Sequence, residues 1–287
     1  SLSQTNNLSC MNTTQSLRIL TKPTPCKPSF YRLMAFAAGL AVLPAGIGIL
    51  QAQSINVPNG SFEAQSGVGQ PYGVNIFVDS WQKATKPAYF DFIEANYGFY
   101  WVQTAGVFLD TNPYGNRTGT QAGYILPYSQ VALLQDYTTT DWNDAAPTHD
   151  FNAQFTVGKG YQLTVGLFAK NMTAGSSLQL SLYYRDSLNN PVTVGSTTIT
   201  YSAASFPLNS SLNLIDYEVN VPCVQAGDAW AGQNIGIKLE SLNGDGTGNW
   251  DFDNVRLTAV PEPASLGLLG FGLGGMLLVR ARFQRSA

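Results

Sequence analysis

Apolar and polar residues alternate with a period of two along most of the second half of the chain. The alternating stretches cover residues 162–169, 178–184, 215–221 and 235–239. Successive side chains of a β-strand point to opposite faces of a sheet, so this spacing predicts strands with one buried face. Segments rich in Gly, Asn, Ser and Pro separate the stretches and predict turns.

The first half of the domain is less regular. Between residues 67 and 150 aromatic residues are frequent but rarely alternate, which predicts long loops between the early strands. No stretch between 53 and 258 carries an apolar stripe of helical period bounded by capping residues. Many short strands without helices predict an all-β fold, a single two-sheet sandwich of jelly-roll type.

The N-terminal part of the chain has the composition of a targeting segment. Basic residues precede an apolar stretch at 33–50, which gives way to small and polar residues. This order predicts a secretory signal peptide cleaved after Ala52, so the protein is expected to be exported. Three segments result: a leader and signal peptide (1–52), the sandwich domain (53–258) and a C-terminal segment (259–287).

The C-terminal segment has three ordered parts. They are the motif Pro261-Glu262-Pro263, an apolar Gly-rich run at 266–279, and a basic tail with Arg280, Arg282 and Arg285. The run is shorter than the roughly 20 residues that a stable membrane span needs, so it predicts a marginal membrane helix with its arginines at the cytoplasmic face.

This arrangement resembles the PEP-CTERM sorting signal of Gram-negative bacteria. The resemblance implies that an exosortase-type membrane protease recognises and cuts the tail. The protein would then lie in the inner membrane transiently, before release to the cell surface or the extracellular matrix. The alternative is an ordinary C-terminal membrane anchor.

The charge of the domain differs from that of the whole chain. The formal net charge is −3 overall. Residues 53–258 contain 8 Lys and Arg against 17 Asp and Glu, a net charge of −9. A domain this acidic is expected to repel nucleic acid and anionic lipid, and to bind a glycan only if it is neutral or bridged by calcium. Cys223 is the single cysteine of this segment, which excludes an internal disulfide there.

Common catalytic patterns are missing from the sequence. The chain has one histidine, His149, and contains neither a Gly-x-Ser-x-Gly elbow nor a His-Glu-x-x-His motif. His149 is expected in a solvated loop. These features disfavour the common hydrolases.

Two short motifs bracket the domain. They are NGSFE at 59–63 and WDFDNVRL at 250–257. Together they resemble the first and last strands of galactose-binding-like jelly rolls, the fold of many carbohydrate-binding modules. The closing motif, with YQLTV at 161–165, is also similar to the calcium-dependent cyclases of indole-alkaloid biosynthesis. The resemblance implies that the first and last strands lie side by side and hold a structural calcium, with Glu63 as an acidic ligand.

The closing motif supplies a second acidic residue for that site. Asp253 shares strand parity with Val255 and Leu257, so it is expected to point toward the interior. An uncompensated buried carboxylate is costly, and a hard cation with oxygen ligands removes the cost. We therefore predict calcium bound by Glu63, Asp253 and backbone carbonyls. The alternative is a pair of carboxylates that face solvent.

The aromatic residues offer a candidate glycan site. Tyr97, Tyr100, Trp101 and Trp142 lie among Asn, Gln and Asp residues. Sugar rings stack on aromatic side chains while polar side chains bind their hydroxyls. The alternative for each of these residues is packing in the core.

Three functions remain open. The favoured hypothesis is a non-catalytic surface or matrix protein whose jelly roll binds exopolysaccharide. A calcium-dependent enzyme of the cyclase type, with Asp251 as its acid, is the second. The third is a structural surface protein without a ligand.

Overall fold

The computed structural model describes residues 52–64, 73–109, 115–139, 151–207 and 213–261. These residues form two packed antiparallel sheets, which confirms the prediction of an all-β sandwich. Within the described ranges there are twelve strands: β1 Gln53–Ile55, β2 Val74–Asn75, β3 Gln82–Lys83, β4 Ala105–Leu109, β5 Gln121–Ile125, β6 Ala132–Gln135, β7 Lys159–Lys170, β8 Ser177–Arg185, β9 Pro191–Thr200, β10 Ile215–Val221, β11 Gly236–Asn243 and β12 Asn249–Pro261.

The two sheets differ in size. Among the described residues, the seven-stranded sheet has the order β10-β7-β12-β5-β4-β2, with β1 paired to β12. The five-stranded sheet has the order β3-β6-β11-β8-β9. Gln53 of β1 lies opposite Ala259 of β12, so the first and last strands are neighbours, as the resemblance implied.

The long strands follow the alternation in the sequence. On β8, Leu178, Leu180 and Leu182 are fully buried on the inner face, and their register partners on β11 include Ile237 and Leu239. β7 and β10 pair over seven residues with the same alternation. The apolar side chains of both sheets therefore meet in one core, whose burial stabilises the sandwich.

The prediction of a domain without helices was wrong. Helix α1 spans Phe90–Tyr97, and a 3₁₀ helix spans Trp101–Gln103. α1 has only eight residues and no capping side chain at its N-terminus, and Phe90 is its buried residue. It ends at Gly98, which adopts a left-handed conformation with φ 61°. A helix this short carries too few apolar positions to show a stripe in the sequence.

Candidate functional site

The opening motif folds into a tight turn after β1. Asn59 and Phe62 both have left-handed backbone conformations, with φ 46° and 57°. The Asn59 amide donates to the carbonyl of Asp79 at 2.8 Å, while its oxygen accepts from the Ala64 N–H at 3.0 Å. Phe62 is fully buried, so the turn is anchored in the core immediately before Glu63.

The carboxylate of Glu63 binds the loop that leads into β5. Its Oε1 accepts from the backbone N–H groups of Thr120 at 2.9 Å and Gln121 at 2.6 Å. Gly119 lies against the same carboxylate, since a Cβ there would be 2.3 Å from Glu63 Cδ. With φ 70°, this position favours glycine for both conformation and space.

Asp253 of β12 binds the same loop from the other side. It is fully buried, and its two carboxylate oxygens accept from the N–H groups of Thr118 at 2.8 Å and Asn254 at 2.7 Å. Burial raises the pKa of Asp253 to about 7, and the nearby Glu63 carboxylate acts in the same direction. The two backbone donors and the Arg117 guanidinium oppose that shift. The structure therefore brings Glu63 and Asp253 together.

Asp253 is buried, but on the opposite face from the one predicted. In register it pairs with Gly166, and the register shifts before Arg256 pairs with Thr164. The cause is a bulge at Asn254, which has φ 56°. The extra residue inverts the parity, so Val255 and Leu257 face the core whereas Asp253 lies beneath the loop of Thr118.

The acidic pair fits a calcium site only in part. Calcium takes six to eight oxygen ligands. The described ranges contain no group of three or more His, Cys, Asp or Glu side chains that could hold a metal ion. Glu63 and Asp253 would therefore supply two side chains, and backbone carbonyls would have to complete the shell. The closeness of two carboxylates, one fully buried, is the feature that favours a cation here.

A third acidic residue, Asp251, lies at the centre of the seven-stranded sheet. Its neighbours in the chain, Trp250 and Phe252, face the core, so Asp251 points to the outer face. It is nevertheless only 2% exposed. Its Oδ1 accepts a hydrogen bond from the Asn249 amide.

Aromatic side chains flank Asp251 on both neighbouring strands. Tyr124 of β5 and Phe168 of β7 are its register partners, and such partners share one face of a sheet. Burial raises the pKa of Tyr124 to about 12, so this phenol is neutral at physiological pH. Gly106 lies opposite Tyr124, where a Cβ would come within 2.8 Å of the ring. The result is a buried carboxyl group between two aromatic residues.

Sequence reasoning named Asp251 but neither aromatic partner. No direction was predicted for Asp251 from the sequence, although the large apolar residues on both sides of it, Trp250 and Phe252, are a signal that places it on the opposite face. Tyr124 and Phe168 are 127 and 83 residues away along the chain, and only the strand register brings them to it.

The candidate glycan residues separate into two groups. Trp101 is only 6% exposed, donates from Nε1 to the Ala84 carbonyl at 2.9 Å and packs edge-on against Phe90. It is therefore a core residue. Tyr97 and Tyr100 are 74% and 56% exposed. Trp142 and His149 lie outside the described residues.

Most residues of the predicted targeting segments also lie outside the described ranges. This holds for residues 1–51, which include nearly all of the predicted signal peptide, and for Glu262, Pro263, Arg280 and Arg282. Pro261 ends β12, where it pairs with Lys159. Among the described residues, no helix combines the length and apolarity required to cross a bilayer.

Comparison with known proteins gives one family match. The model of a family described as "HpiC1-like: HpiC1 cyclase" matches residues 53–258. No curated protein matches the chain at a significant level.

Several solved structures are similar to the chain at low identity. A cyclase from Fischerella sp. TAU is 18% identical, with a TM-score of 0.49, over 74% of this chain and 100% of that one. A protein titled "CBM4 structure and function" is 16% identical, with a TM-score of 0.36, over 71% and 98%. A xylanase 10B fragment from Clostridium thermocellum, complexed with xylohexaose, is 14% identical, with a TM-score of 0.35, over 68% and 28%. Similarity at this level identifies neither a ligand nor a reaction.

Proposed function

We propose that this chain, which belongs to the HpiC1-like cyclase family, is an enzyme that protonates an apolar, unsaturated substrate with Asp251. The family match favours the enzyme that the sequence left as an alternative. The observation that carries the proposal is the position of Asp251, 2% exposed and between Tyr124 and Phe168 in the strand register.

Each of these side chains has a role in a cation-mediated ring closure. The carboxyl group of Asp251 donates a proton to a carbon of the substrate double bond, and the resulting cation is attacked by a second double bond or ring. Aromatic faces attract cations, so Tyr124 and Phe168 would stabilise the intermediate. The cyclised cation then loses a proton to the Asp251 carboxylate. The net reaction is an isomerisation, and shielding from water prevents hydration of the cation.

The test is turnover by a conservative variant. Wild-type protein should cyclise at least one member of a panel of alkenylated indoles. Asp251→Asn should lower kcat by about a hundredfold or more, the usual contribution of a general acid. Asp216→Asn is the matched control, because Asp216 is half-exposed and pairs with Arg256 at 2.7 Å. Equal rates in all three proteins would overturn the proposal.

Binding can be followed separately from turnover. The compound 4-(1H-indol-3-yl)butan-2-one is present in one of the Fischerella cyclase structures, and it serves here as a probe. We expect it to raise the melting temperature of the wild-type protein. Phe168 is 2% exposed and packs edge-on against Phe206, so the variant Phe168→Leu, which keeps the site apolar, is used, and we expect a smaller rise in it. If the probe binds but no panel member is converted, the site is a binding pocket and the enzymatic proposal fails.

Glycan binding is the second candidate function. Tyr97 and Tyr100 are exposed tyrosines of the segment that includes α1, which supports a stacking surface for exopolysaccharide. In this case the protein would be a non-catalytic component of the cell surface or matrix. Trp101 would have no part in it, since it is buried.

We also propose a structural calcium between Glu63 and Asp253. Its support is the shared loop: both carboxylates accept hydrogen bonds from the backbone between Thr118 and Gln121. A cation there would join the opening turn, this loop and β12.

Export and sorting remain proposals from the sequence. Residues 1–52 would direct export, and the PEP-CTERM segment would be recognised by an exosortase-type protease in the inner membrane. The folded domain would then be exposed at the cell surface or in the matrix, without contact to nucleic acid.

A further inference from the structure

The outer face of the five-stranded sheet carries a groove. Its volume is about 590 Å³. The floor is a row of residues in register, Gln82 of β3, Leu134 of β6 and Lys238 of β11. Their neighbours Leu133 and Ile237 are fully buried in the core, so this row faces outward. Adjacent strands lie about 4.8 Å apart, and the groove therefore extends roughly 15 Å from β3 to β8.

A buried charged cluster forms one end of the groove. Asp136, which is 2% exposed, accepts from the Tyr183 hydroxyl at 2.5 Å and from Arg185 Nε at 2.7 Å. Thr138 donates to its other oxygen from both N–H and hydroxyl, at 2.7 and 2.6 Å. Arg185 Nη1 donates to the Asn189 carbonyl at 2.9 Å. These contacts fix the guanidinium of Arg185 at the groove wall.

Glycine makes this cluster possible. Gly236 of β11 lies opposite Tyr183, and a Cβ at Gly236 would be 2.3 Å from the tyrosine ring. Tyr183 therefore lies flat against β11, within reach of Asp136.

Two basic side chains face the groove. Lys83, Arg185 and Lys238 all line it, but the Lys83 side chain lies on the inner face with its register partner Leu133 and is only 8% exposed, so Arg185 and Lys238 supply the basic groups. The acidic residues beside them are Glu240, which pairs with Lys238 at 2.5 Å, and Asp136. The groove therefore differs from the domain as a whole, whose net charge is −9.

We infer that this groove binds a carboxylated oligosaccharide, with a uronate carboxylate held by Arg185 and Lys238. The guanidinium presents donors in a plane that matches a carboxylate. Leu134 offers an apolar contact to the C–H face of a sugar ring, and Glu240 can accept from its hydroxyls. Arg185 and Lys238 balance the charges of Asp136 and Glu240, so the groove carries no net negative charge and can accept a short acidic glycan despite the acidic domain.

This site is independent of Asp251, since the two lie on the outer faces of different sheets. Calorimetric titration of the purified protein compares the binding of trigalacturonate with that of neutral galactotriose. We expect trigalacturonate to bind at least tenfold more tightly, and to weaken as the salt concentration rises. Equal binding of the two trisaccharides would overturn the inference.

Variants locate the site. Lys238→Gln and Arg185→Lys should each weaken trigalacturonate binding at least fivefold. Arg256→Gln is the matched control, because Arg256 is an exposed basic residue of the other sheet. This variant should bind trigalacturonate as tightly as the wild type. Melting curves identify a misfolded Arg185→Lys protein, in which case Lys238→Gln decides alone. Competition by inorganic phosphate at equal concentration, or an equal loss in Arg256→Gln, would contradict a carboxylate-specific groove.

Discussion

Glu63 and Asp253 hold the loop before β5 through its backbone N–H groups, and a calcium ion is proposed between them. A ligand that binds only the folded state stabilises it by about 2.7 kcal/mol at a hundredfold excess over Kd. Chelation with EDTA should therefore lower the melting temperature of the wild-type protein.

The same measurement on variants shows whether Glu63 and Asp253 bind the ion. Glu63→Gln and Asp253→Asn should melt at the same temperature with and without EDTA, whereas the control Asp216→Asn should respond like wild type. A wild-type melting temperature that does not change on chelation would remove calcium from the account.

Lys83 predicts a dependence of stability on pH. Its side chain is 8% exposed and donates to the Val102 carbonyl, and burial lowers its pKa to about 7. Between pH 7 and the pKa of an unfolded lysine near 10.4, the unfolded chain binds more protons than the folded one, so stability should rise with pH.

Lys83→Met isolates this contribution. The free energy of unfolding of the variant minus that of the wild type should be largest at pH 7 and should decrease toward pH 9.5. Urea denaturation at several pH values measures it. A difference that stays constant with pH would show that the lysine titrates normally in the folded state.

Single residues also limit what the sequence could predict about the site. The burial of Asp253 was predicted, but its direction was not, because one bulged residue, Asn254, inverts the parity that alternation assumes. The aromatic partners of Asp251 were missed since strand pairing between distant segments is not encoded in local periodicity.

Among the secondary-structure elements, the segment from α1 to the 3₁₀ helix carries both buried and exposed aromatic residues. Trp101→Ala should destabilise the fold by about 3–5 kcal/mol, the usual cost of truncating a buried aromatic. Tyr97→Ala should change stability by no more than about 0.5 kcal/mol. Urea denaturation measures both values.

The same variants test the glycan surface. If the exposed tyrosines bind exopolysaccharide, Tyr97→Ala or Tyr100→Ala should reduce the amount of protein that sediments with it while leaving the melting temperature unchanged. Unchanged sedimentation in both variants would exclude this surface.

The strands were predictable where one face is buried and the other solvated. Each of the strands β7, β8, β10 and β11 overlaps one of the alternating stretches of the sequence. The early strands β2 and β3 have two residues each and carry no periodic signal. Their existence depends on pairing with β4 and β6, which is a tertiary interaction.

The proposed sorting motif begins inside the last strand of the folded domain. Val260 and Pro261 pair with Gly160 and Lys159 at the end of β12. Backbone within a sheet is protected from proteases, so we expect cleavage C-terminal to Pro261. Intact-mass analysis of the mature protein from a Gram-negative host should give a C-terminus at or just after this residue.

Replacement of the motif checks the role of the protease. Pro261→Ala combined with Glu262→Ala should leave an uncut, membrane-bound precursor. Mature wild-type protein that retains residues 266–287, or ends before Leu257, would contradict the sorting proposal.

The proton that Asp251 transfers can be followed with deuterium. Wild-type protein in D₂O should yield a cyclised product with one deuterium at the carbon that receives the proton, because the Asp251 carboxyl exchanges with solvent between turnovers. Mass spectrometry of the product measures this, and Asp251→Asn should give no labelled product. A cyclised product without deuterium, or labelling at the same rate in Asp251→Asn, would contradict the assignment of Asp251 as the acid.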